Sequence, residues 1–305
     1  MGKIAFVFAG QGAQYSGMGK DVAEYSKAAA EIFKQADEVR PETSRQCFEG
    51  TEAELQETKN TQPCIYTVDL AIAAALEEKG IKADYAAGFS LGELAALAYA
   101  KAFDFQSGLE LVSKRGALMQ IASEKHDTGM AAVLKLSDEK IEELAAKYDN
   151  VYPVNFNCDG NVTVAADKQQ LDAFAADVKA ERGLARILKV SGAFHSPYMA
   201  EAAEGFGKVL ADAEVAEVEI PVYSNRTAQA YEGDYKALLE EQIINPVRWK
   251  TLIQNLIEEG VDTFIELGPG KALTSMITRI SKDVTALNVS DVESLEKTLE
   301  SMSEC

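Results

Sequence analysis

Hydrophobic positions along the chain switch repeatedly between two periods. Lys3 to Phe8 is a short β-rich apolar run that ends in Ala9-Gly10-Gln11-Gly12, which reads as a buried strand followed by a tight loop. Ala83 to Ala87 reads as a second small strand, with an Ala- and Leu-rich helix from Leu91 to Lys101 after it. Near the other end, Val261 to Leu267 is a strand closed by Gly268-Pro269-Gly270, and Lys271 to Ile280 reads as a helix. Thr285 to Val289 is a last strand, and a C-terminal helix begins at about Val292. Strands alternating with helices predict a parallel sheet covered on both faces.

The middle of the chain follows another order. Met130 to Leu136 is a strand, and Ser137 caps a helix reaching Tyr148. Tyr152 to Cys158 and Asn161 to Ala166 are strands joined by Asp159-Gly160, a two-residue hairpin signal. Lys168 to Ala180 is a helix, and Ala185 to Val190 a strand. The resulting β-α-β-β-α-β order is ferredoxin-like. The expected fold is therefore α/β, with a mostly parallel large domain (residues 1–126 and 191–305) and an inserted ferredoxin-like subdomain at 127–190.

Gly88-Phe89-Ser90-Leu91-Gly92 lies where the second strand turns into a helix. G-x-S-x-G in that context is a nucleophile elbow, with Ser90 exposed at a helix N-terminus that favours a developing oxyanion. The alternative is a serine cap with glycines kept for packing. Two histidines are present. His126 sits in a charged junction and reads as a solvated loop residue. His195 precedes Ser196-Pro197, a cap and first residue of a helix, where the protonated imidazole is disfavoured and the neutral base favoured. No aspartate is visibly placed as a third member, which leaves room for a dyad oriented by a backbone carbonyl.

Ser107 to Ser123 reads as a helix whose apolar stripe is Leu111, Val112, Met119 and Ala122, and Arg115 falls on that stripe. An inward arginine needs an anionic partner, either an internal carboxylate or a substrate carboxylate held bidentately. Gly10-Gln11-Gly12-Ala13-Gln14-Tyr15 fails as a dinucleotide loop because Tyr15 occupies the third glycine position. Donating backbone N–H groups to an oxyanion is a better use of that loop.

With 305 residues, 47% of them apolar, the chain can bury a full core. Its net charge of −19 argues against nucleic acid and against anionic lipid as partners. Cys47, Cys64, Cys158 and Cys305 are scattered, with no metal-ligand or redox spacing, which fits a reducing cytoplasm. No stretch is long enough to span a membrane.

Together these segments resemble the malonyl-CoA:acyl carrier protein transacylases of fatty acid synthesis. The resemblance runs nearly the whole length. It is carried by Phe6-Val7-Phe8-Ala9-Gly10-Gln11-Gly12, Thr61-Gln62-Pro63, Gly88 to Glu93, Arg115-Gly116, Pro153 to Asn157, Ala193 to Ser196, Asn245-Pro246-Val247 and Glu266 to Gly270. It implies an α/β-hydrolase-like domain with a ferredoxin-like insertion. Ser90 would carry the acyl group and His195 would be the base. Gln11 and Leu91 would give the oxyanion-hole N–H groups, and Arg115 would pair with the malonyl carboxylate. Gln242 would offer its carbonyl to His195, and Gln62, Met119 and Phe194 would line the pocket. Phe89 stands where many relatives have His, and Gly192 replaces a His of some polyketide-type relatives.

The implied partners are malonyl-CoA and, transiently, an acyl carrier protein, with no cofactor or metal and with a monomer expected. The rival readings are a serine hydrolase or thioesterase on the same elbow, a stand-alone acyltransferase serving a polyketide synthase, and an inactive carrier-binding module. Two acid-free stretches are candidate carrier docking islands. One holds Arg182, Arg186 and Lys189; the other holds Lys271, Arg279 and Lys282.

Overall fold

The structure, a computed structural model, describes residues 2–190 and 192–303. Ser191, at the start of the stretch leading to His195, and Cys305 lie outside the described residues. Among the described residues, nine strands form two sheets. The larger contains β1 (Lys3–Phe8), β2 (Tyr85–Gly88), β7 (Val222–Tyr223), β8 (Val261–Leu267) and β9 (Thr285–Val289). They are all parallel, in the order β7-β2-β1-β8-β9. The smaller sheet contains β3 (Thr128–Leu134), β4 (Val151–Cys158), β5 (Asn161–Asp167) and β6 (Leu184–Ile187). These are antiparallel in the order β4-β5-β3-β6, the arrangement a ferredoxin-like βαββαβ unit requires.

β1 shows why its sequence reads as a continuous apolar run. Its side chains alternate between two cores: Ile4, Phe6 and Phe8 pack into one, and Ala5 and Val7 into the other. A parallel strand covered by helices on both faces has no solvent side to mark with polar residues. The neighbouring strands end in register, Phe8 beside Gly88. The loops that follow β1 and β2 therefore leave the same edge of the sheet, which is where α/β folds gather their chemistry.

Several boundaries shift from the sequence expectation. The helix expected from Ser107 starts at Phe105, because the Asp104 carboxylate accepts from Ser107 N and caps it. The last strand of the smaller sheet ends at Ile187 rather than Val190; only the Leu188 N–H still reaches Met130 before the chain leaves the sheet edge. Ser196 does not cap the helix after it. Its hydroxyl donates to Ala193 O, and Pro197–Met199 form a 3₁₀ turn before the helix Ala200–Ala211. The hairpin at Asp159-Gly160 stands, with Gly160 left-handed at φ 64°.

The chain between β1 and β2 forms a layer of five helices, of which the longest, Thr58–Glu78, is buried on nearly every side. Among the described residues, no helix is long and apolar enough to cross a membrane.

Candidate active site

β2 delivers the chain into a turn so tight that Ser90 takes φ 56° and ψ −104°, before the helix Leu91–Tyr99 begins. A non-glycine residue there is strained, and the surroundings hold the strain in place. A Cβ on Gly88 would lie 1.9 Å from the Gly92 carbonyl carbon, and one on Gly92 would lie 2.2 Å from the Phe8 carbonyl oxygen. Side chains are thus excluded on both flanks of the serine. Asn225, from the loop after β7, locks the turn: its Oδ1 accepts from Ser90 N at 2.7 Å, and its Nδ2 donates to Gly88 O at 2.7 Å.

His195 arrives from the loop after the smaller sheet, itself left-handed at φ 60° and almost fully buried. Its Nε2 lies 2.7 Å from Ser90 Oγ and its Nδ1 lies 2.8 Å from the Gln242 carbonyl oxygen. A carbonyl only accepts, so Nδ1 carries the proton and Nε2 offers its lone pair to the serine hydroxyl. Burial, with the Arg115 charge adding to it, pushes the imidazole down to about 4, against the pull of the Gln242 and Asn245 carbonyls. Burial and the neighbouring cation, rather than a helix end, are what keep this base neutral.

Arg115 comes from the helix Phe105–Glu124 and has no exposed surface. Nη2 donates to Gln242 Oε1 at 2.7 Å and lies 3.3 Å from Ser90 Oγ, while Nη1 donates to Gln62 Oε1 at 2.7 Å. Among the described residues it makes no direct ion pair, so the internal salt bridge that the sequence left open is absent. Its Nε–H is buried without a partner among the described residues. Burial brings the guanidinium down to about 10, so it stays charged at neutral pH.

Gln62 is held from its other side, its Nε2 donating to Met119 Sδ at 3.3 Å. Met119 and Phe194 are both buried in the larger core. Phe89 packs edge-on against Trp249 at 5.5 Å. A side chain at Gly192 would meet Ser123 Cβ at 2.4 Å. Gln11 lies three residues past Phe8, as Leu91 lies three past Gly88. Gly10 brings the two loops together, since a Cβ there would be 2.5 Å from Phe89 O. Gln11 is tied down through Nε2 to Thr58 Oγ1 at 3.2 Å. His126 stays exposed, its ring tilted against Tyr198 at 5.2 Å and apart from this group.

Three residues that sequence reasoning missed complete the cluster. Glu93, fully buried, accepts from Gln242 Nε2 at 2.8 Å, from Asn225 N at 3.1 Å and from the Tyr231 hydroxyl. Glu93 carried a faint signal, as an acid in the first turn after the elbow. Asn225 and Tyr231 carried none, because they meet Ser90 and Glu93 only through the folding of the large sheet.

A strained serine at the end of an inner strand, a neutral histidine on its hydroxyl and helix N–H groups behind it form an arrangement suited to acyl transfer. The family model described as "Acyl transferase domain" matches residues 5–298, which sets the class. Within that class, the chain belongs to the malonyl CoA-acyl carrier protein transacylases. It is 37% identical to the malonyl CoA-acyl carrier protein transacylase of Bacillus subtilis, over 100% of this chain and 98% of that one. The crystal structure of the malonyl CoA-acyl carrier protein transacylase from Clostridium perfringens superposes with a TM-score of 0.96 at 39% identity, covering 99% and 98% of the two chains. A malonyl-transacylase solved in complex with a type II polyketide acyl carrier protein superposes at 0.94 with 34% identity, covering 98% and 99%.

Proposed function

We propose that the enzyme moves a malonyl group from malonyl-CoA to the thiol of an acyl carrier protein through a malonyl ester on Ser90. The observation that carries this reading is a charged, buried arginine at the nucleophile, with Arg115 Nη2 3.3 Å from the Ser90 Oγ that His195 Nε2 also reaches at 2.7 Å. His195 takes the Ser90 proton as Oγ attacks the thioester carbonyl. The oxyanion is received by the N–H groups of Gln11 and Leu91. The intermediate collapses, coenzyme A leaves with the proton from His195, and malonyl-Ser90 remains. The carrier thiol then gives its proton to His195 and attacks the ester, and Ser90 Oγ leaves with that proton returned from His195. One thioester replaces another, so the exchange is near balance. Gln62, Met119 and Phe194 line the acyl pocket, and Gln242 orients His195 through its carbonyl.

The malonyl carboxylate pairs with Arg115, whose Nε–H and second Nη1 hydrogen are unused in the resting site. A hydrolase gains nothing from that arginine unless its substrate is acidic. Incubation with malonyl-CoA and holo carrier protein separates the two readings. Malonyl-carrier should form much faster than free malonate, and malonate released at the same rate with or without carrier would make the enzyme a hydrolase. Supply of fatty acid synthesis, by a monomer in the cytoplasm, belongs to the same reading.

Carrier docking has to use local positive charge, because carrier proteins are generally acidic and this chain is at −19. Arg182, Arg186, Lys189 and Lys271 are exposed, and a Cβ on Gly270 would lie 3.9 Å from Ala13 of the first loop. Lys189→Glu and Lys271→Glu are expected to raise KM for the carrier and to leave Ser90 acylation by malonyl-CoA unchanged. Steady-state kinetics with each substrate varied separately reads this, and an unchanged carrier KM in both variants removes these positions from the docking surface.

A further inference from the structure

Arg115 poses a problem that the reaction alone does not answer. Before substrate arrives, a guanidinium with no exposed surface and, among the described residues, no direct ion pair needs a counter-charge, because an uncompensated buried charge is strongly destabilising. A carboxylate bonded to it directly would occupy the donors that the substrate needs. Glu93 meets both requirements. It is fully buried, it is the carboxylate whose charge acts on Arg115, and it reaches the arginine only through one intervening group. That group is the Gln242 side chain, whose Nε2 donates to Glu93 at 2.8 Å while its Oε1 accepts from Arg115 at 2.7 Å.

The neighbours fix the direction of this amide. Arg115 has only donors, so it faces the oxygen; Glu93 and the Ser90 carbonyl, the latter 2.8 Å from Nε2, are acceptors, so they face the nitrogen. From the geometry we infer that Glu93 is the resting counter-charge of Arg115, held one amide away by Gln242 so that the guanidinium stays charged and keeps donors free for the incoming carboxylate. Glu93 touches no substrate and is a positioning residue. Burial raises its pKa to about 7, opposed by its three donors and by Arg115. Above that pH it is ionised, and the arginine–glutamate pair is neutral overall. The malonyl carboxylate then arrives as a second anion on a cation already held in place.

This rests on Ser90, His195 and Arg115 acting as proposed. The test is thermal unfolding at pH 8 of wild type and Glu93→Gln, each alone, with saturating malonyl-CoA and with saturating acetyl-CoA, with acylation followed by intact mass. The glutamine keeps the size and can keep the contacts, since the Tyr231 hydroxyl can turn to accept; only the charge is lost. Unacylated Glu93→Gln is expected to melt roughly 5–10 °C below wild type. Malonyl-CoA, which brings a replacement anion, should recover at least half of that loss, and acetyl-CoA no more than it gives wild type. Melting within about 1 °C of wild type, or equal recovery by both acyl groups, overturns the inference. Should Glu93→Gln fail to fold, Glu93→Gln/Arg115→Met decides. Removal of both charges should restore folding, and a double variant as unstable as the single one contradicts a charge-pair role. Absence of acyl-serine in wild type sinks the reading of the site itself, whereas acyl-serine without a charge-dependent shift sinks only the role of Glu93.

Discussion

His195→Ala is expected to slow acylation of Ser90 by malonyl-CoA by about 10²–10⁴-fold, the range that a positioned general base supplies. The hydroxyl would keep its place on the strained turn, since Asn225 and the glycine contacts hold the backbone. It would lose the acceptor that lies 2.7 Å away. The pH profile of the wild-type step carries the same information. His195 is pushed down to about 4 from an ordinary value near 6.5, so the neutral base persists well below pH 6.5. The acid limb from this group should therefore fall near pH 4 rather than near 6.5. The sign for stability follows. Between those two values the unfolded chain binds a proton that the folded chain refuses, so His195 favours folding above pH 6.5, and that contribution is lost as pH falls toward 4. Rapid-quench measurement of acyl-enzyme from pH 4 to 8 reads the rate. A limb centred near 6.5 would mean that the imidazole is not held neutral as described.

Arg115→Ala is expected to reduce kcat/KM for malonyl transfer by about 30- to 1000-fold, corresponding to about 2–4 kcal/mol for a charge-assisted pair lost in a dry site. Acetyl transfer should fall far less, because an acetyl group has no carboxylate to leave unpaired. The comparison is informative because the variant also strips Gln62 Oε1 and Gln242 Oε1 of their donor. Disorder from that source would reach both acyl groups alike, so equal losses would mark Arg115 as a structural residue.

The parts of this site that were legible in the sequence share a local cause. The elbow could be found because its glycines, its serine and the flanking strand and helix are consecutive. His195 stood out because the chain has two histidines, and Arg115 because it breaks an apolar stripe. What was illegible is non-local. Asn225 reaches Ser90 across 135 positions and Tyr231 reaches Glu93 across 138, with nothing near either to mark it. Gln242 entered through the family resemblance, and its double use, by carbonyl and by amide, appears only in three dimensions. In the fold, the helix Thr58–Glu78 escaped notice because burial nearly all round erases the polar face that a 3.6-residue period needs, and because Pro63 sits inside it. β7 is two residues long and offers no period at all.

Intact mass followed by peptide mapping, after mixing with malonyl-CoA and no acceptor, tests the central claim most directly. One malonyl group should be added, on the peptide that holds Ser90, and Ser90→Ala should add none. The described cysteines, Cys47, Cys64 and Cys158, are buried. A malonyl group retained in Ser90→Ala, or mapped to any other residue, would contradict the account.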